Sequence, residues 1–151
     1  MKKLWIMRHA EAIWQSTSDN ERTLTEKGFQ QVESVYQKVE DFAPKDVWVS
    51  PLIRTQQTFQ TLCKYHDFSS SNITTEPMIT PEADIAMVIE LIEHSEFNEL
   101  LMVSHMPTVA ELTRQLTGDN RIGGFYPAQI VCCTMAEDHW SLDTIYTPDI
   151  L

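Results

Sequence analysis

The hydrophobic positions of the chain follow two different periods. Leu4-Trp5-Ile6-Met7 and Leu100-Leu101-Met102-Val103 are unbroken apolar runs, the pattern of strands buried on both faces. They predict central strands over Lys3 to Arg8 and over Leu100 to Ser104, with a further strand over Asp46 to Ser50. Between these runs the apolar residues recur at helical spacing. Phe29, Val32, Val35, Tyr36 and Val39 form one stripe, with Thr25 as N-cap and an end near Asp41 to Pro44. Leu52, Thr55, Phe59, Leu62 and Cys63 form a second, opened by Pro51. Ile85, Val88, Ile89 and Ile92 form a third, with Thr80 as N-cap and Pro81 at the first helical position. Val109, Leu112 and Leu116 form a fourth, closed by Gly118.

Polar segments punctuate this series. Glu11 to Arg22 reads as a loop, placed where a substrate wall or lid would lie. His66 to Asn72 is Ser-rich, and Ile73 to Glu76 forms a short edge strand ended by Pro77. Gln129 to Ala136 and His139 to Ile145 alternate as a hairpin turning through Glu137-Asp138. Strands alternating with helices imply an α/β fold: three layers, α/β/α, around a mainly parallel sheet with an antiparallel edge. Residues 1–151 are expected to form one domain, with no internal repeat and no linker.

Composition narrows the functional classes. Hydrophobic content is 42% and charged content 22%, ordinary values for a globular chain. The apolar run after Lys2-Lys3 is too short for a signal-peptide core, and no run is long enough to cross a bilayer, so the chain is expected in the cytoplasm and off the membrane. Formal net charge is −11, which disfavours nucleic acid as a partner. It also makes the five arginines conspicuous: Arg8, Arg22, Arg54, Arg114 and Arg121. The cysteines Cys63, Cys132 and Cys133 fit neither a disulfide framework nor a zinc pattern and are expected reduced and mostly buried.

The chemistry gathers at strand ends. Arg8-His9 follows the first strand, Ser50-Pro51 the second with Arg54 close behind, and Ser104-His105 the third central run. In a parallel sheet these carboxyl ends share one edge, where open α/β folds place their ligand crevice. Two arginines and two histidines would then converge. Like charges about 4 Å apart repel by roughly 4 kcal/mol at an effective protein dielectric, and a bound anion would relieve that. The helix after Pro51 can add its N-terminal dipole, and arginine donates a two-pronged fork suited to phosphate. His9 reads as a nucleophile, and Arg8 as a binder of the anion it attacks. The flanking arginines argue against His9 and His105 as metal ligands.

Four motifs resemble the histidine phosphatase (phosphoglycerate mutase-like) superfamily: Arg8-His9-Ala10-Glu11, Leu24-Thr25-Glu26-Lys27-Gly28, Ser50-Pro51-Leu52-Ile53-Arg54-Thr55-Gln56-Gln57-Thr58 and Val103-Ser104-His105. The short chain and Arg22-Thr23-Leu24-Thr25 are similar to its small branch, the SixA-type phosphohistidine phosphatases. The resemblance implies that His9 attacks phosphorus to give a phosphohistidine intermediate. It implies that Arg8, Arg22 and Arg54 hold the phosphoryl oxygens, that His105 donates a hydrogen bond as charge builds, and that water completes the turnover with no cofactor or metal. The implied substrate is a phosphorylated histidine-containing phosphotransfer domain of a sensor kinase in a multistep phosphorelay. Two other readings stay open: a phosphatase of small phosphate esters or phosphorylated sugars, and a phosphate-recognition module without turnover.

Two positions depart from that family. Ala10 stands where Gly is usual, which narrows the pocket floor or restricts the backbone. The chain also lacks the insertion that carries a general acid in larger members. Glu82 and Asp84 lie at roughly the right point in the chain, and Glu82 is the candidate proton donor, against the plainer reading of a first-turn acid favouring its helix dipole. Glu11 reads as supporting the motif rather than touching substrate, Trp14 as a wall or lid residue, and Ser104 as a strand-end hydrogen-bonding residue. His66, His94, His139, Arg114 and Arg121 read as surface groups.

Overall fold

A computed structural model describes residues 2–14 and 18–151. Its elements in chain order are β1 (Lys2–Arg8), a 3-10 turn (Asp19–Glu21), α1 (Glu26–Tyr36), β2 (Asp46–Val49), α2 (Ile53–Leu62), β3 (Asn72–Thr75), α3 (Ile85–His94), β4 (Glu99–Ser104), α4 (Thr108–Thr117), β5 (Ile130–Ala136) and β6 (His139–Tyr146). One sheet runs β3-β2-β4-β1-β5-β6. β3, β2, β4 and β1 are parallel, while β5 and β6 run antiparallel at the edge. The two unbroken apolar runs are the two central strands, as their two-sided burial requires.

Side chains of β1 and β4 alternate between two cores, which makes the sheet the middle of three layers. Leu4, Ile6, Leu100 and Met102 pack with Val88 and Ile92 of α3 and with Val109 and Leu112 of α4. Trp5, Met7, Leu101 and Val103 pack on the other face with Val32 and Val35 of α1 and with Phe59 and Leu62 of α2. This is the α/β fold with a mostly parallel sheet and antiparallel edge.

Three helix boundaries differ from the periodicity. α1 stops at Tyr36 rather than near Asp41 to Pro44. Val39 still packs against the core from beyond the helix end, so the stripe outlasts the hydrogen-bonded turns. Pro51 lies ahead of α2, whose N-cap is Leu52. Thr80 does not cap α3. The Ala83 N–H donates to its carbonyl, closing a turn with Pro81 in its second position, a site proline also favours. Asp84 is the cap, its carboxylate accepting from the Met87 N–H. Gly118 does close α4 in the left-handed region, φ 72°. Glu137 and Asp138 turn the β5–β6 hairpin, both left-handed. Cys132 and Cys133 are buried, but Cys63, at the C-cap of α2, is exposed.

No described helix is long and apolar enough to cross a membrane. Among the described residues, no group of three His, Cys, Asp and Glu side chains is placed to hold a metal ion.

Candidate active site

The carboxyl ends of β1, β2 and β4 meet, because register fixes them side by side. Arg8 pairs with Ser104, the His9 N–H donates to the Ser104 carbonyl, and the Ser50 N–H donates to that of Val103. Above this edge lies a cavity of about 610 Å³. Arg8, His9, Arg22, Arg54 and His105 all line it, together with Glu11, Thr25 and an apolar wall including Ile13, Trp14 and Met106. Glu82 is exposed in the turn before α3 and does not line the cavity.

His9 is 6% exposed. Its Nδ1 lies 2.7 Å from the Ala10 carbonyl oxygen. A carbonyl can only accept, so Nδ1 carries the proton and Nε2 keeps its lone pair. The His9 pKa is lowered to about 3, through burial first and then through Arg8, Arg54 and Arg22, against the opposing pull of the Ala10 carbonyl. The His105 ring centroid lies 5.4 Å from that of His9. Burial, then His9, Arg54 and Arg8, lower its pKa to about 2. His105 Nε2 lies 2.7 Å from the buried Ser50 Oγ.

The arginines enter from three elements. Arg8 ends β1 and donates to the Phe125 carbonyl. Arg54, on the first turn of α2, is 3% exposed. Burial lowers the Arg8 pKa most, followed by Arg22 and Arg54, although a guanidinium stays charged at neutral pH. Arg22 leaves the loop after the 3-10 turn, its Nε donating to the Ile13 carbonyl and its guanidinium lying 5.4 Å from the Trp14 ring. Trp14 is 88% exposed. Residues 15–17 of the expected wall or lid lie outside the described residues.

The remaining motif residues hold the loops that carry these groups. Thr58 accepts from the Ala10 N–H, and Gln57 from the Leu24 N–H. Thr55 and Gln56 donate to the Ser50 carbonyl, fixing the residue behind His105. Glu11 receives hydrogen bonds on its carboxylate from the Thr25 hydroxyl and on its carbonyl from the Thr25 N–H, and Lys27 lies 3.7 Å away. Gly28 is required here, because a Cβ would collide with the Glu11 carbonyl oxygen. Ala10 is fully buried with no left-handed backbone, so its methyl group is accommodated without the conformational freedom of glycine. Ser104 donates to the Ile79 carbonyl.

Asp19 is a site neighbour absent from the motifs. It accepts from both Arg22 and Arg54. Burial works against its anion, but Arg54 and Arg22 outweigh it and lower the carboxyl pKa. The only sequence signal was an acid three residues before Arg22.

Four buried side-chain nitrogens among the described residues have no partner, and three of them sit on Arg8 (Nε), Arg54 (Nε) and His105 (Nδ1). Buried polar groups are almost always paired. All three belong to residues that line the cavity, although the nitrogens themselves are buried from solvent.

Known proteins resemble this chain along most of its length. The family model described as histidine phosphatase superfamily (branch 1) matches residues 4–80. A phosphohistidine phosphatase SixA homolog of Haemophilus influenzae is 32% identical over 138 residues, 84% of each chain. The phosphohistidine phosphatase SixA of Escherichia coli is 26% identical over 140 residues, 89% of this chain and 86% of its own. The structure of a protein histidine phosphatase SixA complexed with tungstate superposes with a TM-score of 0.83, at 26% identity over 97% of each chain.

Proposed function

Because the chain belongs to the histidine phosphatase superfamily, we propose that it is a phosphohistidine phosphatase whose cavity binds the phosphoryl group and whose His9 accepts it. The observation that carries this reading is the convergence of Arg8, Arg22, Arg54 and His105 on one cavity around a buried, neutral His9. A relative solved in complex with tungstate, an oxyanion, supports an anionic ligand for a protein of this fold.

The phosphoryl oxygens sit against Arg8, Arg22 and Arg54. His9 Nε2 attacks phosphorus as the bond to the substrate imidazole breaks. That ring, protonated on its other nitrogen, leaves as neutral imidazole, so a labile P–N bond is cleaved without a strong side-chain acid. This removes the need for Glu82, which stands away from the cavity. With the Ser50 hydroxyl, 2.7 Å away, donating to His105 Nε2, the His105 proton sits on Nδ1, and from there His105 would donate a hydrogen bond to a phosphoryl oxygen as charge builds. Water then attacks the phosphohistidine: a P–O bond forms, the bond to His9 breaks, and phosphate leaves. Arginine charge takes the place a metal would occupy in neutralising the phosphoryl group.

The substrate is a phosphorylated histidine-containing phosphotransfer domain of a sensor kinase. Trp14 lines the cavity yet is 88% exposed, which suits contact with a side chain presented by a protein. Rates of phosphate release from such a domain and from p-nitrophenyl phosphate separate this from a small-ester phosphatase. The domain should turn over faster in kcat/KM; faster turnover of the ester overturns the protein substrate.

A further inference from the structure

The loop between β1 and α1 carries an acid at the seam of two arginines. Asp19 Oδ1 accepts from Arg22 Nη1 at 3.3 Å, and Oδ2 accepts from Arg54 Nη2 at 3.2 Å. Its backbone carbonyl accepts from Arg54 Nη1 at 2.8 Å. One residue thus occupies two nitrogens of a guanidinium that is almost fully buried, while its own side chain is 63% exposed. Arg22 and Arg54 line the cavity and Asp19 does not. Its carboxylate contacts both arginines without being part of the cavity lining.

That position matters because the two arginines come from unlike elements. Arg54 is fixed by a helix turn, whereas Arg22 lies on a loop: the backbone there is tied by the Ile13 N–H on the Thr23 carbonyl and the Leu24 N–H on Gln57, but besides Asp19 the Arg22 side chain is held only by its Nε on the Ile13 carbonyl and its contact with Trp14 among the described contacts. Their like charges repel. An anion in the cavity would draw them together, but only after it had arrived. A carboxylate already between them holds the pair in place beforehand, and preorganised donors are worth more than donors that must be gathered during binding.

Resting on the reading of the cavity as a phosphoryl pocket, we infer that Asp19 is a positioning residue, clamping the loop arginine Arg22 to the helix arginine Arg54 so that both face the phosphoryl oxygens before substrate binds. An acid inside the pocket would compete with substrate. An acid that holds the guanidiniums without lining the cavity sets their direction instead.

The test is calorimetric titration of the full chain with inorganic phosphate. Asp19→Ala and Asp19→Asn should weaken binding by roughly five- to tenfold, the range of one or two partly exposed charge pairs. Asp19→Glu should recover most of the loss. In an Arg22→Ala background, Asp19→Ala should cost less than about twofold more, because its loop partner is gone. A residue that merely supports the fold would give additive losses in that cycle. Unchanged affinity or additive losses overturn the clamp, and so does tighter phosphate binding, which would make Asp19 a competing anion. Phosphate is the only probe, so failure to dephosphorylate a phosphotransfer domain would overturn the substrate assignment and leave this result standing.

Discussion

His9 and His105 are buried without charge in a site ringed by arginines, and this has a consequence for stability. Both have folded pKa values well below 6.5, at about 3 and about 2. In the unfolded chain each takes up a proton as pH falls below about 6.5; in the folded chain neither does until far lower. Their contribution is therefore complete above pH 6.5 and is lost on acidification. The loss reaches about 1.4 kcal/mol per pH unit for each histidine between those limits. Urea midpoints at pH 7 and pH 5 should differ in that direction, and His9→Ala should roughly halve the slope. Equal midpoints would contradict the neutral assignment. The same neutrality would leave His9 Nε2 free for the proposed attack from pH 5 to 8, so kcat/KM should show no acid limb near 6.5 from this residue. Arg8, His9, Arg54 and His105 were legible in the sequence because each follows a strand whose end a parallel sheet must place at one edge. Asp19 was not, since a polar loop has no period to reveal which acid turns inward.

At the scale of elements, the site depends on how α1 and α2 are pressed against the loop after β1. The approach is closest at Gly28, whose missing Cβ leaves room for the Glu11 carbonyl. Gly28→Ala would gain helix propensity of about 1 kcal/mol, but overpacking against backbone costs roughly 1–3 kcal/mol. We expect a net loss of stability together with weaker phosphate binding, because Glu11 adjoins the His9-Ala10 step. A raised melting temperature would show that the loop yields freely. The buried central strands and all four helices followed from apolar spacing, whereas the edge strand β3 is exposed along its length and shows none. The ends of those helices did not: Val39 continues the stripe of α1 after its hydrogen bonds stop, and proline served a turn where it resembled a helix start. Burial fixes the spacing of apolar residues, whereas the last turn is decided by local hydrogen bonds that leave little trace in composition.

For the whole molecule, net charge of −11 surrounds a cationic pocket. Against an acidic phosphorylated domain the long-range field is repulsive, while the arginines act only at contact. Raising ionic strength from about 0.01 to 0.15 M shortens the Debye length from about 30 to about 8 Å. It should raise kcat/KM for such a substrate, and a fall would mean that the arginines, not the net charge, govern approach. The phosphohistidine formed on His9 is the claim on which the proposed reaction stands. Its most direct test is rapid quench of the protein with a phosphotransfer domain carrying radiolabelled phosphohistidine, followed by recovery of this chain under alkaline conditions. Acid-labile, alkali-stable label should appear on the wild-type chain and be absent from His9→Ala, which should also release no phosphate. Label on the His9→Ala chain with normal phosphate release would contradict it.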